Sequence, residues 1–201
     1  MGKELEYKLQ VADAAQLEAL LQCREVAALV EEPWRTLAMQ TTYYDNEARD
    51  FAQKHWTFRH RSEGGVGIAC LKTPSGQARA RNEWQVEADC LDEAAVAALI
   101  REGAPEELAE LTQGSKLVAL CGASFTRRCV MLRFSDGTRA ELAGDLGELY
   151  GASERAPLCE LEVELYEGSE ETLHAFALLL CKNYCLHEQP MSKFARAREL
   201  K

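Results

Sequence analysis

The chain has 201 residues, 47% of them hydrophobic, enough to bury one sizeable core in one domain. Its formal net charge is −10, from 23 Lys plus Arg against 33 Asp plus Glu. That balance excludes a general nucleic-acid binder, which needs a basic excess to displace counterions from phosphates, but leaves room for a local basic groove inside an acidic shell.

The eight cysteines form no Cys-x-x-Cys pair. Cys181 and Cys185 come nearest, in an apolar helical run, so neither a zinc site nor a disulfide framework is expected. The opening MGKELEYK has no apolar stretch of the kind a signal peptide needs, and Gly2 is not followed by the Ser or Thr of a myristoylation signal. No run is long enough to span a membrane. The expectation is a cytoplasmic, reduced monomer or homodimer with no membrane or nucleic-acid partner.

Period-two alternation dominates the chain. Over 3–11, Leu5, Tyr7, Leu9 and Val11 take one face and Glu4, Glu6 and Lys8 the other. Residues 14–31, rich in Leu and Ala, predict a helix. Strands follow at 39–45 and 55–61, the second with Arg59 and Arg61 opposite Trp56 and Phe58. Another at 66–73 alternates poorly, because Ile68 and Cys70 share a side with Lys72. Over 81–88, Arg81, Glu83 and Gln85 oppose Trp84 and Val86. Asp92 suits an N-cap for a helix over 93–102 with Gly103 as its stop, and Pro105 suits the first turn of a short helix over 106–112. Ser135-Asp136-Gly137-Thr138 predicts a type I′ hairpin joining strands near 125–134 and 138–147. Residues 150–157 read as a flexible insert. In 158–165, Glu160, Glu162 and Glu164 oppose Cys159, Leu161 and Val163, and Leu173, Phe176, Ala177 and Leu180 mark a helix over 170–186. Eight antiparallel strands with helices between them place the chain in the α+β class.

The polar faces of these strands are almost pure Arg, Lys and Glu. Their acids are Glu4, Glu6, Glu83, Glu87, Glu141, Asp145, Glu160, Glu162 and Glu164; their bases are Lys8, Arg59, Arg61, Lys72, Arg81, Arg127, Arg133 and Arg139. Like charges in a row destabilise a sheet, and Mg²⁺ or Mn²⁺, which prefer carboxylate oxygens and bridge readily to phosphate, relieve that repulsion. Arg and Lys grip polyanions. Two readings follow: a solvated sheet face, common in antiparallel sheets, or strands converging on a metal–polyphosphate site. Arg81 with Glu83, and Arg139 with Glu141, are also readable as simple ion pairs, and Arg133 near the hairpin as solvated. The histidines show no ligand spacing, and Trp34, Trp56 and Trp84 read as packing residues.

Glu4-x-Glu6-x-Lys8 resembles the N-terminal signature of the CYTH superfamily, the triphosphate tunnel metalloenzymes. The order of later motifs strengthens the likeness. Phe58-Arg59-His60-Arg61, Lys72, Arg81-Asn82-Glu83, the acidic run Glu160, Glu162, Glu164 and Ser192-Lys193-Phe194-Ala195-Arg196 resemble the family's strands and C-terminal segment in sequence. Phe125-x-Arg127, Glu141 through Glu148 and Pro157 through Glu162 are similar to a block in bacterial inorganic triphosphatases. Gln85 stands where many members have an acid, and Thr126-Arg127-Arg128 replaces a Lys-x-Arg, leaving open which arginine points inward. The resemblance implies a closed eight-stranded antiparallel β-barrel with helices outside, its apolar strand faces under the helices and its polar faces round a tunnel. It implies a small-molecule triphosphate substrate and two Mg²⁺ or Mn²⁺ ions, one on the triphosphate oxygens and one on the attacking water. As metal ligands it implies Glu4, Glu6, Glu160 and Glu162, then Glu164 and Asp145. Lys8, Arg59, Arg61, Lys72, Arg81 and Arg127 grip phosphates, Glu83 and Glu141 orient bases or hold water, and Lys193 and Arg196 close one mouth. Hydrolysis of inorganic triphosphate is the activity expected. Adenylate cyclase, nucleoside or thiamine triphosphatase, and a non-catalytic polyphosphate-binding module are the alternatives.

Overall fold

The computed structural model describes residues 2–76 and 80–200. Its strands are β1 (Gly2–Gln10), β2 (Arg35–Asn46), β3 (Thr57–Glu63), β4 (Val66–Pro74), β5 (Ala80–Glu87), β6 (Leu117–Arg133), β7 (Arg139–Tyr150), β8 (Arg155–Glu167) and β9 (His187–Glu188). They hydrogen-bond in the order β5-β4-β3-β2-β6-β7-β8-β1. Pairing of β1 with β5, Glu4 opposite Arg81, closes eight strands into a barrel. The short β9 pairs with the other end of β1, at Leu9 and Gln10.

The helices are α1 (Ala14–Leu21), α2 (Arg24–Ala27), α3 (Asp50–Gln53), α4 (Glu93–Arg101), α5 (Glu107–Thr112), α6 (Glu170–Tyr184) and α7 (Lys193–Glu199). Alternation decides where they sit. Leu5, Tyr7 and Leu9 of β1, with Leu161 and Val163 of β8, point outward and meet Leu17, Leu20 and Leu21 of α1 and Leu173, Phe176 and Leu180 of α6. On the far side Phe58, Leu71 and Trp84 meet Val96 and Leu99 of α4 and Leu108 of α5. Burial of each such side chain is worth roughly 1.5–3 kcal/mol, which fixes the helices on the barrel and turns the charged faces inward. No helix of the described residues is long and apolar enough to cross a membrane.

A third apolar cluster lies inside one end of the barrel. Met39, Tyr43, Phe125, Leu149 and Leu158 pack there with Phe194, Ala197 and Leu200 from α7 and the residue that follows it. Ser192 caps this helix by accepting from the Ala195 N–H at 3.1 Å. A Cβ at Gly151 would lie 2.1 Å from the Leu200 carbonyl oxygen, so the β7–β8 turn admits the chain end only as glycine.

Several sequence expectations change. The helix over 14–31 stops at Leu21 and is broken by extended Cys23 (φ −65°, ψ 158°). Residues beyond α2 pair with β6 instead: the Glu31 N–H donates to the Met131 carbonyl and the Arg133 N–H to that of Leu29, so tertiary pairing overrides helix propensity. Half of residues 150–157 are strand, the insert shrinking to a turn over 151–154 closed by Gly151 N–H on the Glu154 carbonyl at 2.9 Å. The 134–138 turn is not type I′, since Gly137 has positive φ (88°) and Asp136 does not. β6 begins eight residues earlier than the strand expected near 125, and α7 and β9 were not foreseen.

Candidate active site

Inward side chains of the eight strands line a cavity of about 980 Å³. On the wall made by β3, β4 and β5 stand Arg59, Arg61, Lys72, Arg81 and Glu83, all directed inward by period two. Arg59 donates to Glu83 at 3.3 Å. Lys72 Nζ donates to both Glu4 oxygens at 2.5 Å and lies 3.6 Å from Glu83. Burial and neighbouring Arg59 would lower the Lys72 ammonium, but Glu4 and Glu83 carry it above the ordinary lysine value. Against the cost of burial, Lys72 and Arg59 hold Glu83 down to about 2. Arg81 meets no carboxylate among the described residues; it donates at 2.6 Å to the carbonyl of His55, whose backbone is left-handed (φ 56°). The Nε atoms of Arg59, Arg61 and Arg81 are buried without a hydrogen-bond partner. Buried donors left unmade are costly, and charged ones more so.

On β1, β8 and β7, which continue round the barrel from β5, lie two groups of three acids. Glu4 and Glu6 on β1 and Glu164 on β8 bring ligand oxygens within 4.8 Å of one another, Glu6 and Glu164 being register partners. Lys72 takes Glu4, Lys8 takes Glu6 at 2.7 Å, and no described cation pairs with Glu164. Burial, with Glu4 beside it, outweighs the pull of Lys72 and pushes Glu164 up to about 8.

Asp145, Glu160 and Glu162 form the second group, Asp145 and Glu160 paired across β7 and β8. Lys193 contacts all three, at 2.7 Å from Asp145 and 2.8 Å from Glu162. Arg127 forks onto Asp145 at 2.8 and 2.7 Å and reaches Glu162 at 2.5 Å, while Arg196 holds Glu160. Burial would raise Glu162, yet Lys193 and Arg127 hold it well below the carboxylate range. Three bases balance three acids.

The expected residues converge here, with their partners redistributed. Glu83 pairs with Arg59 and Lys72 and not with Arg81; Glu141 pairs with Arg35 at 2.7 Å and not with Arg139. Arg127 points inward, whereas Arg128 lies outside on Glu18 and over the Trp34 ring. Arg133 and Arg139 do not line the cavity, and both pair with Glu31. Asp145, Glu160 and Arg196 lie behind the cavity lining and not on it.

Residues the sequence reading missed include Arg35, Glu63, Met39 and Phe125. Phe125 had a signal: it stands two residues before Arg127 and so faces inward, where Lys193 and Arg127 lie 5.2 and 5.8 Å from its ring centre. Cys70, two before Lys72, explains the poor alternation of β4: its thiol faces inward and donates to Glu83 at 3.0 Å.

A closed barrel with its apolar faces under helices and an ion-lined lumen defines the class of architecture. The family model described as the CYTH domain matches residues 2–197, and the chain belongs to that family. Among solved structures the chain resembles HpAC1 from Hippeastrum, assigned as an adenylyl cyclase and described as having a dominant triphosphatase activity (18% identity, 98% of this chain and 95% of that one, TM-score 0.63). It also resembles the bh2851 protein of Bacillus halodurans, assigned as an adenylate cyclase (17%, 96% of each chain, TM-score 0.58). PH1819 of Pyrococcus horikoshii is a third (16%, 98% of each chain, TM-score 0.56). At these identities the likeness is one of fold. No curated protein matches the chain by sequence.

Proposed function

We propose that the barrel hydrolyses inorganic triphosphate to diphosphate and phosphate with the help of a divalent cation, Mg²⁺ or Mn²⁺. The observation that carries this reading is the two-signed lumen. Arg59, Arg61 and Arg81 have buried, unpartnered donors on β3 and β5, and Glu4, Glu6 and Glu164 converge beside them on β1 and β8. Guanidinium forks match phosphate oxygens, and converging carboxylates, one lacking a counter-ion, match a hard cation.

Glu4, Glu6 and Glu164 would hold that cation, which supplies charge neutralisation at phosphate oxygens and a more acidic bound water. The chain's own bases do the rest. Arg81, Lys72 and Arg59 bind and align the substrate for in-line displacement. The water oxygen forms a bond to a terminal phosphorus and gives up a proton to solvent, the bond to the bridging oxygen breaks, and diphosphate leaves with the electron pair. Preorganised cations meet the charge gathering on that leaving oxygen without reorganising at the moment of reaction. Glu83, held ionised, orients Lys72 and Arg59; Lys8 orients Glu6; Glu141 with Arg35 shapes the mouth. We assign Asp145, Glu160 and Glu162 to holding Arg127, Lys193, Arg196 and thereby α7 in place, since their charge is already met.

Hydrolysis is preferred to cyclisation because the HpAC1 description ranks triphosphatase activity first. A purely binding module would not need the Glu4–Glu6–Glu164 group. The test is phosphate release from inorganic triphosphate, ATP and thiamine triphosphate with Mg²⁺, with Mn²⁺ and with a chelator. Metal-dependent release, fastest from inorganic triphosphate, is expected. Cyclic AMP as the main product, or turnover indifferent to the chelator, would sink the reading.

A further inference from the structure

Asp45, near the end of β2, is buried (1% exposed) and pairs with no cation among the described residues. Backbone N–H groups meet its charge instead. Oδ1 accepts from Asn46 and Phe51 at 2.9 and 3.1 Å, and Oδ2 from Ala52 at 3.1 Å. Asn46 beside it accepts from the Asp50 N–H at 3.0 Å and donates to the Leu111 carbonyl of α5 at 3.2 Å.

These two side chains build α3. Four residues are too few to hold a helix by themselves, and the N-cap, Arg49, makes no side-chain cap. Asp45 and Asn46 take the first-turn N–H groups of Asp50, Phe51 and Ala52 in its place. Phe51 then stacks on Phe58, ring centres 5.2 Å apart. Left-handed Arg49 (φ 63°) and His55 (φ 56°) bracket the turn, a conformation that persists in such residues only where the surroundings over-determine it.

The turn bears on the lumen through His55, whose carbonyl accepts from Arg81 Nη2 at 2.6 Å. Arg59, Arg61 and Arg127 lean on the carboxylates of Glu83, Glu63 and Asp145. Arg81 leans on a neutral oxygen. A carbonyl fixes the direction of a guanidinium without cancelling its charge, which leaves that charge for a phosphate. The fork is then aimed only as firmly as the carbonyl is held.

We propose that Asp45, with Asn46 beside it, is a positioning residue of the triphosphate site: by capping α3 it fixes the His55 carbonyl, and through it the Arg81 guanidinium. This rests on the phosphate grip assigned to Arg81 above and names what aims it.

The test is a double-mutant cycle in the full chain: wild type, Asp45→Asn, Arg81→Ala and the two together. Asn cannot accept through its amide nitrogen, so one N–H of the turn is left unmade. Asn46→Ala loosens the same turn by a second route and replaces Asp45→Asn in the cycle if that variant does not fold. Each protein is melted, titrated with inorganic triphosphate by calorimetry with chelator present, and assayed for kcat/KM on the same compound with Mg²⁺. Asp45→Asn should weaken binding and lower kcat/KM by about fivefold to tenfold where Arg81 is present and by less than about twofold where it is absent, because residues acting through one another are not additive. Its melting temperature should fall equally in both backgrounds. Ser169→Ala, which uncaps α6 on the outer face, should lower the melting temperature and leave binding as in wild type. Equal losses of binding with and without Arg81, no loss in folded Asp45→Asn, or wild-type binding in Arg81→Ala overturns the proposal. A wild type that binds triphosphate without hydrolysing it overturns the triphosphatase reading, and the binding arm of the cycle still decides the role of Asp45. A wild type that does neither overturns both.

Discussion

Two groups of three carboxylates share one lumen and differ in what surrounds them. Asp145, Glu160 and Glu162 meet Arg127, Lys193 and Arg196, base for acid, with Asp145 and Glu160 fully buried. Glu4 and Glu6 each hold a lysine, and Glu164 holds none among the described residues. Clustering alone therefore does not mark a cation site; charge left over after internal pairing does. A balanced group has to surrender buried ion pairs to accept a cation, and broken buried pairs are strongly destabilising.

The sharpest way to break this comparison is catalytic. Glu4→Gln and Glu164→Gln should each lower kcat on triphosphate by about 100-fold or more, and Glu164→Gln, which breaks no ion pair among the described residues, should do so with little change in melting temperature, because both remove charge-stabilising ligands from a preorganised site. Steady-state phosphate release alongside a thermal melt reads both quantities. Glu160→Gln should do the reverse in kind. It leaves buried Lys193 and Arg196 short of counter-charge and should cost about 3 kcal/mol of stability, seen as a lower denaturant midpoint at unchanged m.

Acidity sharpens the contrast further. Burial and Glu4 place the Glu164 carboxyl at about 8, above an ordinary carboxyl. Glu164's own contribution to the metal-free fold is therefore fully present below the ordinary carboxyl range and is lost as pH rises through about 8. A cation needs the ionised form, so Mg²⁺ affinity should climb with pH by up to about tenfold per unit between about pH 6 and 8, with a proton released on binding. Calorimetry in buffers of different ionisation enthalpy counts that proton; a pH-independent affinity removes Glu164 from the site. The smallest effect belongs to the arginine next door to the lumen. Arg128→Ala, on the outer face, should change stability and kcat/KM by less than about 1 kcal/mol equivalent, as exposed pairs do, whereas Arg127→Ala should lose far more.

Alternation made much of this legible. It gave the strands, the outward apolar faces that carry α1, α4 and α6, and the inward charges, because a two-residue period fixes each side chain's face once one is known. It could not give pairing across the barrel. Glu6 opposite Glu164 depends on register between strands far apart in sequence, and Asp145 opposite Glu160 on the register of a hairpin whose turn reads in the sequence as a flexible insert, so the acids could be listed but not sorted into two groups. The break at Cys23 was hidden for a related reason: the residues after α2 pair with β6, a hundred positions away, and local Leu and Ala content does not register that competition. Phe125 and Cys70 escaped because apolar residues inside a charged lumen contradict the face rule by type while obeying it by position.

The most direct measurement is Mn²⁺ binding by electron paramagnetic resonance to wild type, Glu164→Gln and Glu160→Gln, each first shown to be folded. The account predicts a tight Mn²⁺ site in wild type that Glu160→Gln retains and Glu164→Gln loses. Retention in Glu164→Gln with loss in Glu160→Gln would contradict it.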